Sequence, residues 1–167
     1  MKKFVVLLSV ALFSCFISGC KNSSNEILQF DSKIESDVKI SCKNENYECK
    51  IFYAPEGISS ISFEKPSNLG SFTISRSGDK FVLSKDGLEV NYSKDPLPKD
   101  TSLRLFMDIL ENIFKEKDKL VLKNEEEGEK IYEGVCNEKK YEVVLSKKNQ
   151  IIRILCKEPE LDVEFKI

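Results

Sequence analysis

The chain has 167 residues, 26 Lys and Arg against 28 Asp and Glu, a formal net charge of −2, and neither histidine nor tryptophan. That length suits one ordinary domain, and the acidic balance argues against a nucleic-acid partner. Without histidine the chain lacks the commonest general base, the commonest neutral metal ligand and every Ser/His/Asp or Cys/His relay, so no catalytic residue, metal site or cofactor is expected.

Lys2 and Lys3 supply a positive start, Phe4 to Ile17 an apolar run, and the small pair Ser18-Gly19 stands just before Cys20. This is the layout of a signal peptide, its apolar run of about 14 residues falling short of the ~20 that a membrane-spanning helix needs. Ile17-Ser18-Gly19-Cys20 resembles the lipobox of bacterial lipoproteins. The resemblance implies that residues 1–19 are removed, that Cys20 carries a diacylglyceryl anchor, and that the protein sits on the outer face of the cell membrane without crossing it. Residues 20–25 then form a short tether and residues 26–167 a single domain.

Glu26 to Ile34 carries Ile27, Leu28, Phe30 and Ile34 at roughly helical spacing and is expected to form a short helix. From Asp37 the period becomes two. Val38, Ile40 and Cys42 share one strand face, and Tyr47, Cys49, Ile51 and Tyr53 another beyond a turn near Asn44 to Asn46. Ile58, Ile61 and Phe63 mark a strand ended by Pro66. Leu69 to Ser75 and Lys80 to Ser84 read as a hairpin around Ser77-Gly78-Asp79, and Asp86-Gly87 turns the chain into Leu88 to Tyr92. Asp95-Pro96-Leu97-Pro98 breaks the rhythm. Asp100 is placed to cap a helix whose apolar stripe is Leu103, Phe106, Met107, Leu110, Ile113 and Phe114.

Strands are expected again over Lys119 to Lys123, Lys130 to Cys136, Tyr141 to Ser146, Gln150 to Lys157 and Leu161 to Ile167, with the acidic run Glu125 to Glu129 as a solvated turn. The sum is a mainly β, α+β fold: an antiparallel curved sheet forming a half-barrel, covered on its concave side by the amphipathic helix. Phe63, Phe72, Leu83, Phe106 and Leu110 are the candidates for lining that concave face.

Cys42, Cys49, Cys136 and Cys156 would remain in an exported chain, where disulfides are permitted. Cys42 and Cys49 flank one hairpin turn, and opposed strand positions about 4.5–5.5 Å apart lie within disulfide reach, which makes this pair the candidate bond. Cys136 and Cys156 sit two strands apart in a simple meander, about 9.6 Å, and are read as buried thiols. In a reducing setting all four would be thiols.

This order of elements resembles the half-barrel superfamily of lipoprotein-sorting proteins, the LolA/LolB-like fold. Within it, the Tyr47 to Tyr53 strand, Ile61-Ser62-Phe63-Glu64-Lys65-Pro66, Gly87-Leu88, the helix from Thr101, Tyr132-Glu133-Gly134 and Tyr141-Glu142-Val143 are similar to spore germination lipoproteins of the GerS type. That likeness implies a non-enzymatic role in the forespore or spore envelope, as partner of a zinc-dependent N-acetylmuramoyl-L-alanine amidase that modifies cortex peptidoglycan. The competing classes are a lipid or lipoprotein carrier, which needs a hollow where the concave face is, and a structural envelope protein with neither ligand nor enzyme partner.

Overall fold

The structure, a computed structural model, describes residues 33–98 and 101–166. Eleven strands form one antiparallel sheet: β1 (Ile34–Cys42), β2 (Glu45–Ala54), β3 (Ile58–Lys65), β4 (Thr73–Ser77), β5 (Lys80–Lys85), β6 (Leu88–Tyr92), β7 (Val121–Glu126), β8 (Glu129–Cys136), β9 (Lys139–Leu145), β10 (Ile151–Cys156) and β11 (Leu161–Phe165). Among the described residues one α-helix, α1 (Ser102–Lys115), joins the two runs of hairpins. The strand order is β6-β5-β4-β3-β2-β1-β11-β10-β9-β8-β7, so β1 pairs with β11 at the middle and β6 and β7 are the open edges.

Alternation decides which face is which, because residues paired across an antiparallel ladder point the same way. One row runs Leu83, Ile74, Ile61, Ile51; another runs Ile40, Val163, Ile154, Val143, Tyr132. Nearly all of these are buried, and α1 lies against them. The fold is therefore the open curved half-barrel with a helix in its concavity that the sequence pattern implies.

Several local readings change. Ile34 opens β1 instead of closing a helix, because its side chain continues the alternation into Val38 and Ile40; the rest of the expected Glu26 to Ile34 helix lies outside the described residues. The stretch Leu69 to Ser75 is not one strand. Ser67–Leu69 is a 3-10 turn, Phe72 N–H bonds back to the Leu69 carbonyl at 2.9 Å, and β4 starts only at Thr73. Asp100 is outside the described residues, and the residue at the helix N-cap is Thr101, with no side-chain cap bond. The acidic run is split between strands: Glu125 and Glu126 end β7, Glu129 begins β8, and the turn is Glu127-Gly128, both at positive φ.

Candidate functional site

Phe63, Phe72, Leu83, Phe106 and Leu110 all belong to, or pack against, one buried core. Phe63 on β3 stands 5.9 Å from the Phe72 ring and meets Tyr47 edge-on at 5.5 Å. Phe106 and Leu110 come down from α1 and are fully buried; Phe72 and Leu83 pack on the margin of the same cluster. The physical reason is the width of the helix's apolar face. Leu105 and Ile109 are buried alongside Phe106, Met107, Leu110 and Ile113, two positions beyond the stripe read from spacing, and a helix apolar over so much of its circumference sinks into the sheet.

Around that core the helix is pinned by polar contacts to both halves of the sheet. Arg76 of β4 forks: Nη1 donates to Asp108 at 3.0 Å and Nη2 lies 3.0 Å from Glu111. Asp108 also accepts from Asn137 Nδ2, in the β8–β9 turn, at 3.0 Å. One helix carboxylate thus joins strands from opposite halves of the half-barrel. Arg104 Nε reaches Asp95 at 3.1 Å, and the Leu97 N–H donates to Asp95 at 2.9 Å, fixing the link after β6 to the helix. From β9, the Tyr141 hydroxyl donates to Asn112 Oδ1 at 2.7 Å. These groups are no more than about a quarter exposed in the Arg76 cluster, where charge-assisted bonds retain more of their strength than on the open surface.

A cavity of about 280 Å³ opens at the C-terminal end of α1. Its apolar part is formed by Ile34, Phe114, Ile151 and Phe165, and its rim by Lys33, Glu35, Lys166 and Gln150. Phe114 stacks on Tyr53, centroids 4.5 Å apart and 23° from parallel. Tyr53 itself is buried, and its hydroxyl is the one buried side-chain polar atom without a hydrogen-bond partner among the described residues. Burial raises its pKa, with the Glu111 carboxylate adding to the effect. The sequence pattern singles out none of the four apolar residues as part of a cavity. Phe114 reads as one more residue of the helix stripe, Ile34 as part of a different element, and only the fold shows that the last apolar residues of α1 and β11 face each other near the start of β1.

The cysteines are corrected by register. The β1–β2 turn is the two residues Lys43-Asn44, so Cys42 opposes Glu45 and Cys49 opposes Val38. Lys43 sits at φ 53°, the conformation that lets the turn close early. Cys42 and Cys49 therefore do not face each other, and Cys42, Cys49, Cys136 and Cys156 are all free and buried. Burial pushes the Cys49 thiol up to about 12 and the Cys136 thiol up to about 11, and raises Cys42 with help from Glu45. The Cys156 thiol donates to the Lys140 carbonyl at 3.3 Å. Among the described residues no three Cys, Asp or Glu side chains converge as a metal-binding set. Cys20, the expected lipid carrier, lies outside the described residues.

These features define the class of architecture, an open antiparallel half-barrel whose concave face holds one amphipathic helix. Solved structures similar to this chain include an uncharacterized conserved protein from Thermus thermophilus, 10% identical over 84% of this chain and 77% of that one, with a TM-score of 0.47. They also include a LolA superfamily protein from Nitrosomonas europaea, 11% identical over 86% of this chain and 88% of that one, with a TM-score of 0.41. No protein-family model matches the chain, and no curated protein matches it. The likeness to GerS-type lipoproteins rests on the sequence segments alone.

Proposed function

We propose that this chain is a non-enzymatic binding protein of the lipid- or lipoprotein-carrier type, held at the outer face of the membrane through Cys20, and that it accepts one apolar chain at the end of α1. The observation that carries this reading is the cavity bounded by Ile34, Phe114, Ile151 and Phe165, an apolar floor under a rim of both charge signs. That arrangement suits an amphiphile, whose tail is removed from water while its head stays at the rim. A cavity of about 280 Å³ has room for a single chain and not for a bulk lipid cluster. The test is displacement of a fluorescent fatty acid from the full chain, followed by the same titration of Ile151→Glu. Binding that the substitution weakens supports the assignment; absence of binding, or binding indifferent to Ile151, overturns it.

One observation favours a second reading. A concavity into which α1 packs is one that a protein-docking module can have, and under the GerS-like resemblance the docked protein is a zinc-dependent N-acetylmuramoyl-L-alanine amidase. Calorimetric titration of the full chain with a cognate cortex amidase separates the two: a stoichiometric complex that forms without lipid identifies the docking module.

A further inference from the structure

We propose that β6 is a self-pairing edge, through which two copies of this chain join antiparallel about a two-fold axis at Val90. The strand is exposed along its whole length, and nothing among the described residues covers it. Leu88, Val90 and Tyr92 are 77%, 52% and 38% exposed, and all three point to the concave side, since they pair with Lys85, Leu83 and Phe81 of β5. Phe81 is buried and Leu83 packs on the core, so the uncovered row continues the core outward by one strand. An apolar row beside an open edge is what a sheet presents to an added strand.

The edge itself says which strand fits. Asp86 and Gly87 both have positive φ and form a two-residue hairpin turn, which makes Lys85 and Leu88 a hydrogen-bonded pair. By alternation the backbone groups of Leu88, Val90 and Tyr92 are used toward β5, and those of Glu89 and Asn91 point out from the edge. A second β6 running antiparallel and centred on Val90 sets Glu89 against Asn91 of the other copy, and Asn91 against its Glu89. Those are the two positions with free N–H and C=O groups, so both pairs are hydrogen-bonded pairs. Val90 meets Val90 and Leu88 meets Tyr92 as non-hydrogen-bonded pairs, the kind with the closest side chains, about 4.5 Å at Cα. No like charges face each other: each Glu89 carboxylate meets an amide. Hydrogen bonding and apolar contact are both satisfied by one two-fold operator, with no like charges opposed, as an isologous interface demands.

The other edge lacks these properties. β7 carries a bulge between Leu122 and Asn124 and ends in Glu125 and Glu126, so self-pairing would gather carboxylates on a kinked strand. A five-residue seam is small, and the expected dimer is weak and concentration-dependent.

The test uses the full chain in mild detergent. Val90→Cys is expected to give a disulfide-linked dimer on gentle oxidation, because a non-hydrogen-bonded pair on the axis lies within disulfide reach, while Val121→Cys on the β7 edge does not. Val90→Lys, which opposes two ammonium groups on the axis, is expected to raise the dimer dissociation constant by roughly tenfold or more in sedimentation equilibrium, with an unchanged melting temperature. A parent chain that is monomeric at every attainable concentration overturns the proposal and leaves the edge to a strand of another protein. Cross-linking at Val121 in place of Val90, or a dimer indifferent to Val90→Lys, overturns it as well.

Discussion

The Tyr141 hydroxyl donates a 2.7 Å hydrogen bond to Asn112, and the ring that carries it lies directly over Gly134 of the neighbouring strand. A Cβ at residue 134 would stand 2.4 Å from Tyr141 Cζ and 2.8 Å from Leu120 Cδ2. Gly134 is thus the space that allows a tyrosine on β9 to reach the helix. Gly134→Ala is expected to cost about 1–3 kcal/mol through overpacking, and Tyr141→Phe about 1 kcal/mol through the lost bond. Denaturant melts of the two variants check the order; equal and negligible effects would mean that Tyr141 does not hold the helix.

Tyr53 gives the opposite sign. Its buried hydroxyl is without a partner, so removing it removes a desolvation cost while keeping the stack on Phe114. Tyr53→Phe is expected to stabilise the protein by about 1 kcal/mol, seen as a rise in melting temperature. A destabilised variant would show that the hydroxyl has a partner.

Arg76 is expected to matter more than an ordinary surface arginine. It binds Asp108 and Glu111 together, and all three are about three-quarters buried or more. Arg76→Ala should cost roughly 1–2 kcal/mol, since it takes the shared guanidinium from two mostly buried carboxylates, leaving Glu111 to Lys115 and Asp108 to the more distant Arg104 at 3.8 Å, and loosens α1 from β4. Amide exchange along Ser102–Lys115 is the direct readout: faster exchange there in the variant is the expected result, and an unchanged helix would refute the anchoring role.

The thiols set an alkaline limit. An unfolded cysteine ionises near pH 8.5, whereas Cys49 and Cys136 in the folded protein stay protonated until about 12 and 11. Below roughly pH 8.5 both states hold these protons, and above it only the folded state does, so rising pH draws the protein toward the unfolded, ionised form. Stability should fall from about pH 9 upward, and Cys49→Val should flatten that decline. The same burial makes all four thiols slow toward a disulfide reagent until denaturant is added. A linked Cys42–Cys49 peptide in non-reducing maps would contradict the register described for β1 and β2.

Legibility from sequence follows locality. Leu88 to Tyr92 is bounded to the residue because one type of turn, Asp-Gly, precedes a clean strand, and the cap expected at Asp100, ahead of the apolar stripe, puts the start of α1 at Thr101 or Ser102, within a residue of its place, although the N-cap is Thr101. The β1–β2 turn reads wrongly because Asn44 and Asn46 look like turn formers, while Lys43, which takes the positive φ, carries no such signal. Leu69 to Ser75 misleads for a related reason: its apolar residues are those of a strand, but Ser71 at φ 65° breaks the extended run. The site is harder still. That Phe63 and Phe106 belong to one core is readable from their faces; how deeply α1 settles over the sheet is a matter of volumes that periodicity does not encode.

The pairing of β1 with β11 has a consequence for how the molecule is made. The first and last strands of the sheet are neighbours, so the ladder that joins its two halves, Val38 to Cys42 against Leu161 to Phe165, cannot form until β11 is available. Each half can build its hairpins early, but the core under α1 is sealed only by this last, long-range contact, the kind that slows folding. A chain emerging as an extended thread would therefore stay pliable while β2 to β10 appear and become rigid only once β11 has joined β1.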